Sequence, residues 1–166
     1  MHLAKDERQC IRTKGYLIMG GQQKHISLKV SDYYFRLSTE AIRLHSNQNK
    51  EFSSLERVVD DRAQAIDSIA LQYDPEDMKE HMRLIPSVGN TEFGICILQS
   101  SEQSISDAIP KLEKAMGESI AFKDALSLLL FDYIVEANAT EVMTKLGMNY
   151  KDAKSYRNLL KKRTIM

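Results

Sequence analysis

Residues 25–30, His-Ile-Ser-Leu-Lys-Val, alternate between polar and hydrophobic side chains and give the clearest short pattern in the chain. Period-two alternation is typical of a β-strand with two different faces. The aliphatic face consists of Ile26, Leu28 and Val30, and the polar face of His25, Ser27 and Lys29. The segment fits two interpretations: a half-buried strand with a solvated polar face, or one arm of a β-ribbon that enters the DNA major groove.

Two helical patterns follow this strand. Hydrophobic residues recur at helical spacing over 32–44, and Ser31 or its neighbour can cap the first turn. Residues 45–50 are polar and predict a loop. A second helix is predicted over 53–72, and an acid-rich segment with a proline at its first helical position predicts another over 75–85. The first half therefore has the order strand, helix, loop, helix, with one further helix.

The second half repeats this order. Residues 93–98 alternate, a helical pattern continues to Met116, and a strongly apolar helix is predicted over 122–137. The outer face of the second strand is either Gly94, Cys96 and Leu98 or Phe93, Ile95 and Ile97, and neither set supplies a hydrogen-bond donor for a base. Val30 to Phe52 and Leu98 to Ile120 both span 22 positions. We therefore expect a mainly α-helical fold with short β-strands.

Four segments are predicted along the 166 residues. A basic N-terminal arm covers 1–24, and a strand-helix-helix unit with its extra helix covers 25–88. Residues 91–138 form a second, degenerate strand-helix-helix unit or an oligomerisation domain. Residues 139–166 form a basic C-terminal helical segment.

Charge is balanced overall but unevenly distributed. The chain has 23 Lys and Arg against 23 Asp and Glu; residues 1–30 carry six basic and two acidic side chains, and residues 145–166 carry seven and one. An acidic body with basic ends can meet phosphate locally without coating nucleic acid indiscriminately. No apolar stretch suggests a membrane span or a signal peptide. We expect a cytoplasmic protein in which Cys10 and Cys96 are reduced.

The first half resembles the ribbon-helix-helix superfamily, which includes the Arc and MetJ repressors and several DNA-binding proteins of conjugative plasmids. The resemblance rests on the strand 25–30, the capped helix start at Ser31-Asp32 and the restart at 52–55, Phe-Ser-Ser-Leu. It implies that two strands pair into an antiparallel ribbon, either within one chain or between two chains. It also implies roles for individual residues: base contacts for His25, Ser27 and Lys29, and phosphate contacts for Lys24, Ser53 and Ser54.

Residues 139–158 resemble a helix-turn-helix, with Gly147 at the turn. The alternative is a basic amphipathic tail that packs on the body. In either case the segment offers basic side chains to the DNA backbone. The candidate contacts are Lys151, Lys154, Arg157, Lys161, Lys162 and Arg163.

These features favour a sequence-specific DNA-binding transcriptional regulator that acts as a homodimer or a higher homo-oligomer on a repeated or palindromic site in double-stranded DNA. The resemblance implies control of plasmid or mobile-element transfer genes as a specialisation. The alternatives are an accessory DNA-binding protein of a relaxosome, or an interaction module that assembles through the apolar helix at 126–135. The chain has no nucleophile motif or phosphate-binding loop, and its four histidines lack metal-ligand spacing. We therefore expect neither enzymatic activity nor a bound metal or cofactor.

Overall fold

The computed structural model describes residues 22–149, 151–152 and 155. This part of the chain is mainly helical with a two-stranded antiparallel sheet, so the predicted fold class is confirmed at that level. In chain order the elements are β1 (Gln23–Val30), α1 (Asp32–Asn49), α2 (Leu55–Arg62), a 3₁₀ segment (Ala63–Ser68), α3 (Ile69–Gln72), α4 (Pro75–Leu84), β2 (Thr91–Leu98), α5 (Gln99–Met116) and α6 (Phe122–Lys145).

The two strands pair with each other inside one chain. β1 runs antiparallel to β2, from Gln23 opposite Leu98 to Val30 opposite Thr91. The sequence left open whether the two halves pair within a chain or between chains. In this structure a single chain supplies both arms of the ribbon.

The helices of the two halves are related by an offset of 67 residues. α1 starts at 32 and α5 at 99, and these helices end at 49 and 116. Lys50 and Gly117, the next residues, both adopt left-handed backbone conformations, with φ of 55° and 73°. α2 and α6 start at 55 and 122. The 22-residue spacing in the sequence matched Val30 to Leu98, an offset of 68. These are the last residues of β1 and β2, so the strand bounds keep that offset and the helices differ from it by one residue.

The first helix is longer than predicted, because residues 45–49 are helical rather than a loop. His45 is 4% exposed. The Ser46 hydroxyl donates to the carbonyl of Ile42, and the Asn49 amide donates to the carbonyl of His45. The helix continues through a stretch whose composition favours a loop because the His45 imidazole is buried between Ser53 and Asp61, while the polar side chains at 46 and 49 bond to carbonyls of the helix itself.

The helix predicted over 53–72 is interrupted. It begins at Leu55, ends at Arg62 and gives way to the 3₁₀ segment and to α3. Ser54 is the N-cap, and its hydroxyl accepts a hydrogen bond from the Arg57 amide at 3.3 Å. The next helix starts with Pro75 at its first turn, as predicted.

Both halves contribute to one hydrophobic core. Val30, Tyr34 and Val58 from the first half share a cluster with Ile97 and residues of α6 from the second. Leu126, Leu128, Leu129 and Leu130 are each at most 2% exposed. The apolar stripe proposed as an interaction surface is therefore occupied by the chain's own core. α6 also continues without a break across the boundary predicted between 138 and 139.

Cys96 is 1% exposed and disulfide-bonded, so the expectation of a reduced thiol is wrong for this residue. Cys10 lies outside the described residues. Among residues 22–149, 151–152 and 155, no helix has both the length and the apolar character needed to cross a membrane. The same part of the chain has no group of three or more His, Cys, Asp or Glu side chains that could hold a metal ion.

Candidate nucleic-acid interface

The polar face of the ribbon combines side chains from both strands. Residues directly opposite each other in an antiparallel pair project from the same face. β1 contributes His25, Ser27 and Lys29, and the register places Cys96, Gly94 and Glu92 opposite them. Ser27, Lys29, Glu92 and Gly94 are exposed, His25 is half-buried and Cys96 is buried. The three predicted base-contacting side chains of β1 are thus brought together on one surface.

The opposite face of the ribbon covers the core. Leu28 and Val30 are buried on β1, as are Ile95 and Ile97 on β2. Of the two faces considered for the second strand, the polar one therefore contains Gly94, Cys96 and Leu98. The strand begins at Thr91 rather than at residue 93. This earlier start adds Glu92, which the sequence reasoning missed because it began the strand two residues too late.

Gly94 makes room for the imidazole of His25. A Cβ atom at position 94 would lie 2.6 Å from Nε2 of His25 and 3.2 Å from its Cε1. The imidazole therefore lies across the ribbon above the opposite strand. A glycine at this position determines where the first of the predicted base-contacting groups stands.

Lys29 and Glu92 form the charged end of this face. Lys29 Nζ lies 3.9 Å from Glu92 Oε1, and the two side chains are 57% and 73% exposed. An ion pair this exposed contributes little to the free energy of folding. Either side chain can therefore leave its partner and bind a ligand at a small cost in stability. The backbone carbonyl of Lys29 accepts a hydrogen bond from Lys123 Nζ at 3.2 Å.

A groove runs between β1 and the start of α6, and three lysines line it: Lys24, Lys29 and Lys123. Lys24 was predicted as a phosphate contact, and its Nζ lies 3.2 Å from Glu102 Oε1. Lys123 was not predicted. With the helix offset of 67, Lys123 corresponds to Glu56 of the first half. Both residues lie in the first turn of the second helix of their unit.

The two serines predicted as phosphate contacts differ in what their hydroxyls bind. Ser53 Oγ lies 2.6 Å from Nδ1 of His45, whose Nε2 lies 2.7 Å from Asp61 Oδ2. The Ser54 hydroxyl accepts from Arg57, and a hydroxyl that accepts can still donate its own proton. The Ser54 hydroxyl therefore keeps its proton to donate at the start of α2, whereas Ser53 connects this end of α2 to His45.

The start of α6 is held by contacts on two sides. The Tyr34 hydroxyl donates to the carbonyl of Lys123 at 2.6 Å. Burial, followed by the negative charge of Asp124, raises the pKa of this hydroxyl and keeps it a neutral donor. The Asp124 carboxylate accepts from the amide of Ala121 at 2.8 Å. The Tyr34 contact connects the α6 start to α1, beside the ribbon, and the Asp124 contact closes the first turn of α6 itself.

The C-terminal candidates lie only partly within the described residues. Gly147 has φ of 99°, consistent with the turn predicted there. Lys151 is exposed. Lys154, Arg157, Lys161, Lys162 and Arg163 lie outside the described residues.

The fold and this surface together define a mainly helical protein in which one chain presents a two-stranded ribbon with a polar outer face. Comparisons with family models, with curated proteins and with solved structures found no match for the chain.

Proposed function

We propose that this protein is a sequence-specific DNA-binding regulator that inserts its ribbon into the major groove of double-stranded DNA. The observation that carries the proposal is the outer face of the ribbon, where His25, Ser27 and Lys29 of one strand stand exposed or half-exposed above an aliphatic core face. The major groove is about 12 Å wide and admits a two-stranded ribbon. Imidazole, hydroxyl and ammonium groups suit the acceptor atoms of its base edges.

The arrangement of the two units supports a ribbon-helix-helix architecture contained in one chain. Each strand is followed by an 18-residue helix, a left-handed residue and a second helix, in the same order and with the same offset. Pairing β1 with β2 supplies both arms of the ribbon, so a partner chain is not needed to complete it. Dimerisation would then serve to place two complete ribbons on one operator.

Phosphate contacts would flank the ribbon. The Lys123 ammonium lies beside β1, and the exposed Lys24 and Lys29 line the same groove. At the start of α2, the Ser54 hydroxyl and the helix dipole offer a second anion-binding position. Phosphate contacts orient a protein on the duplex, while base contacts specify the sequence.

Double substitution of Ser27→Ala and Lys29→Ala tests the proposal. The wild-type protein first selects its preferred duplex from a random library, and fluorescence anisotropy then measures affinity for that duplex and for an unrelated one. Each good base contact is worth about 1–3 kcal/mol, so the double variant should lose about 5-fold to 150-fold affinity per contact for the preferred duplex alone.

Lys79→Ala is the matched control, because this lysine is on α4 and its ion pair with Glu76 is exposed. Its affinity should equal that of the wild type. Unchanged affinity and unchanged sequence preference in the double variant would contradict the ribbon assignment. Charge removal at Lys161, Lys162 and Arg163 should instead weaken binding to every sequence and reduce the salt slope by roughly one per lost contact.

A further inference from the structure

The two arms of the ribbon present different chemistry. The 67-residue offset of the helices also relates the buried face of β1, Leu28 and Val30, to the buried Ile95 and Ile97 of β2. On the outer face it relates Ser27 to Gly94, which are directly opposite each other in the register. This pair therefore lies at the centre of an approximate two-fold axis. The same offset relates His25 to Glu92 and Lys29 to Cys96. One arm carries donors, whereas the other carries an exposed carboxylate, a glycine and a buried cysteine.

A ribbon built from two identical strands presents the same groups twice and matches a self-complementary DNA sequence. Here the axis relates unlike groups at every position of this face, including the central pair of Ser27 and Gly94. From this difference we infer that one chain recognises an asymmetric DNA sequence, in which Lys29 and Glu92 together recognise a G·C base pair. The inference rests on the proposed function, because it specifies what the same ribbon reads.

The chemistry of the pair leads to this assignment. A carboxylate only accepts hydrogen bonds. The donors that bases offer in the major groove are the amino groups of cytosine and adenine. A lysine ammonium favours the O6 and N7 acceptors of guanine. Lys29 Nζ and Glu92 Oε1 are 3.9 Å apart at opposed positions of the two strands. Neighbouring guanine O6 and cytosine N4 atoms of one base pair offer an acceptor and a donor side by side.

The Glu92 carboxylate also disfavours DNA sequences that would place an acceptor atom beside it. Glu92 is 73% exposed, so it approaches the DNA whenever the ribbon does. Facing thymine O4 or guanine O6 it would meet an acceptor, and facing phosphate it would meet a like charge. Either contact is unfavourable, which makes Glu92 a specificity-determining residue even if it adds little affinity.

Selection from a random duplex library with the wild type and with Glu92→Gln tests the inference, and Glu76→Gln on α4 is the control with the same change in charge. The stoichiometry of the complex between the protein and the shortest selected duplex is then measured. We expect one chain on a motif that is not self-complementary. We also expect about 5-fold to 150-fold loss of discrimination at one G·C position in Glu92→Gln alone.

A self-complementary shortest motif, or an unchanged motif in Glu92→Gln, would overturn this inference while leaving the proposed function in place. Failure of the wild type to enrich any sequence would overturn both. Loss of discrimination in Glu76→Gln as well would assign the effect to net charge and would also overturn the role of Glu92.

Discussion

His81 should make the stability of this protein depend on pH. This residue on α4 is 5% exposed, its Nε2 lies 2.8 Å from Ser127 Oγ, and its ring centroid is 4.5 Å from that of Phe131. Burial lowers the pKa of the imidazole from 6.5 to about 4. The unfolded chain therefore binds the proton more readily than the folded one between these values. Stability is complete above about pH 6.5 and falls as the pH decreases toward 4.

The size of the effect follows from the difference in pKa. At about 1.4 kcal/mol for each unit, the full difference corresponds to about 3 kcal/mol, and about 2 kcal/mol of this is lost between pH ~7.5 and pH ~5. Urea unfolding over this range measures it while most carboxylates remain ionised. His81→Asn should remove that loss, and His25→Asn, on the ribbon, should retain it. The reasoning is refuted if His81→Asn loses the same free energy as the wild type.

Two glycines give further predictions. A Cβ atom at Gly89 would lie 2.4 Å from the Cα of Ser31 and from the carbonyl oxygen of Val30, so Gly89→Ala should destabilise the protein by about 1–3 kcal/mol or more. Val88→Ala, at a 77% exposed neighbour, should change the urea midpoint little; equal midpoints for the two variants would contradict the crowding. Gly94→Ala should displace the His25 ring and reduce affinity for the selected duplex several-fold with little change in stability. Unchanged affinity would show that the imidazole position is not important for binding.

Much of the fold could be predicted from local patterns. Alternation located β1, with its core face on Leu28 and Val30, because a strand exposes successive side chains to opposite sides. Helical spacing located α5 through Met116, and the proline-led start of α4 was also recovered. The failures lie where a residue's environment comes from distant parts of the chain. His45 is helical because Ser53 and Asp61 surround its ring, and no local pattern contains that information.

The candidate site divides in the same way. The donor groups of β1 are visible in the sequence, because a six-residue alternation is enough to place them on one face. The opposing carboxylate is not visible, because its position depends on where β2 begins and on its register with β1. A shift of one residue would have moved every side chain of β2 to the other face.

The sequence by itself determined the order of strands and helices and the two faces of the first strand, since both depend on periodicities of two and 3.6 residues. Only the tertiary structure decided that the two strands pair within one chain, that Gly94 lies under His25, and that Lys29 stands beside Glu92. These outcomes depend on contacts between residues more than 60 positions apart. Their free energies come from packing and strand pairing, which a local pattern does not specify.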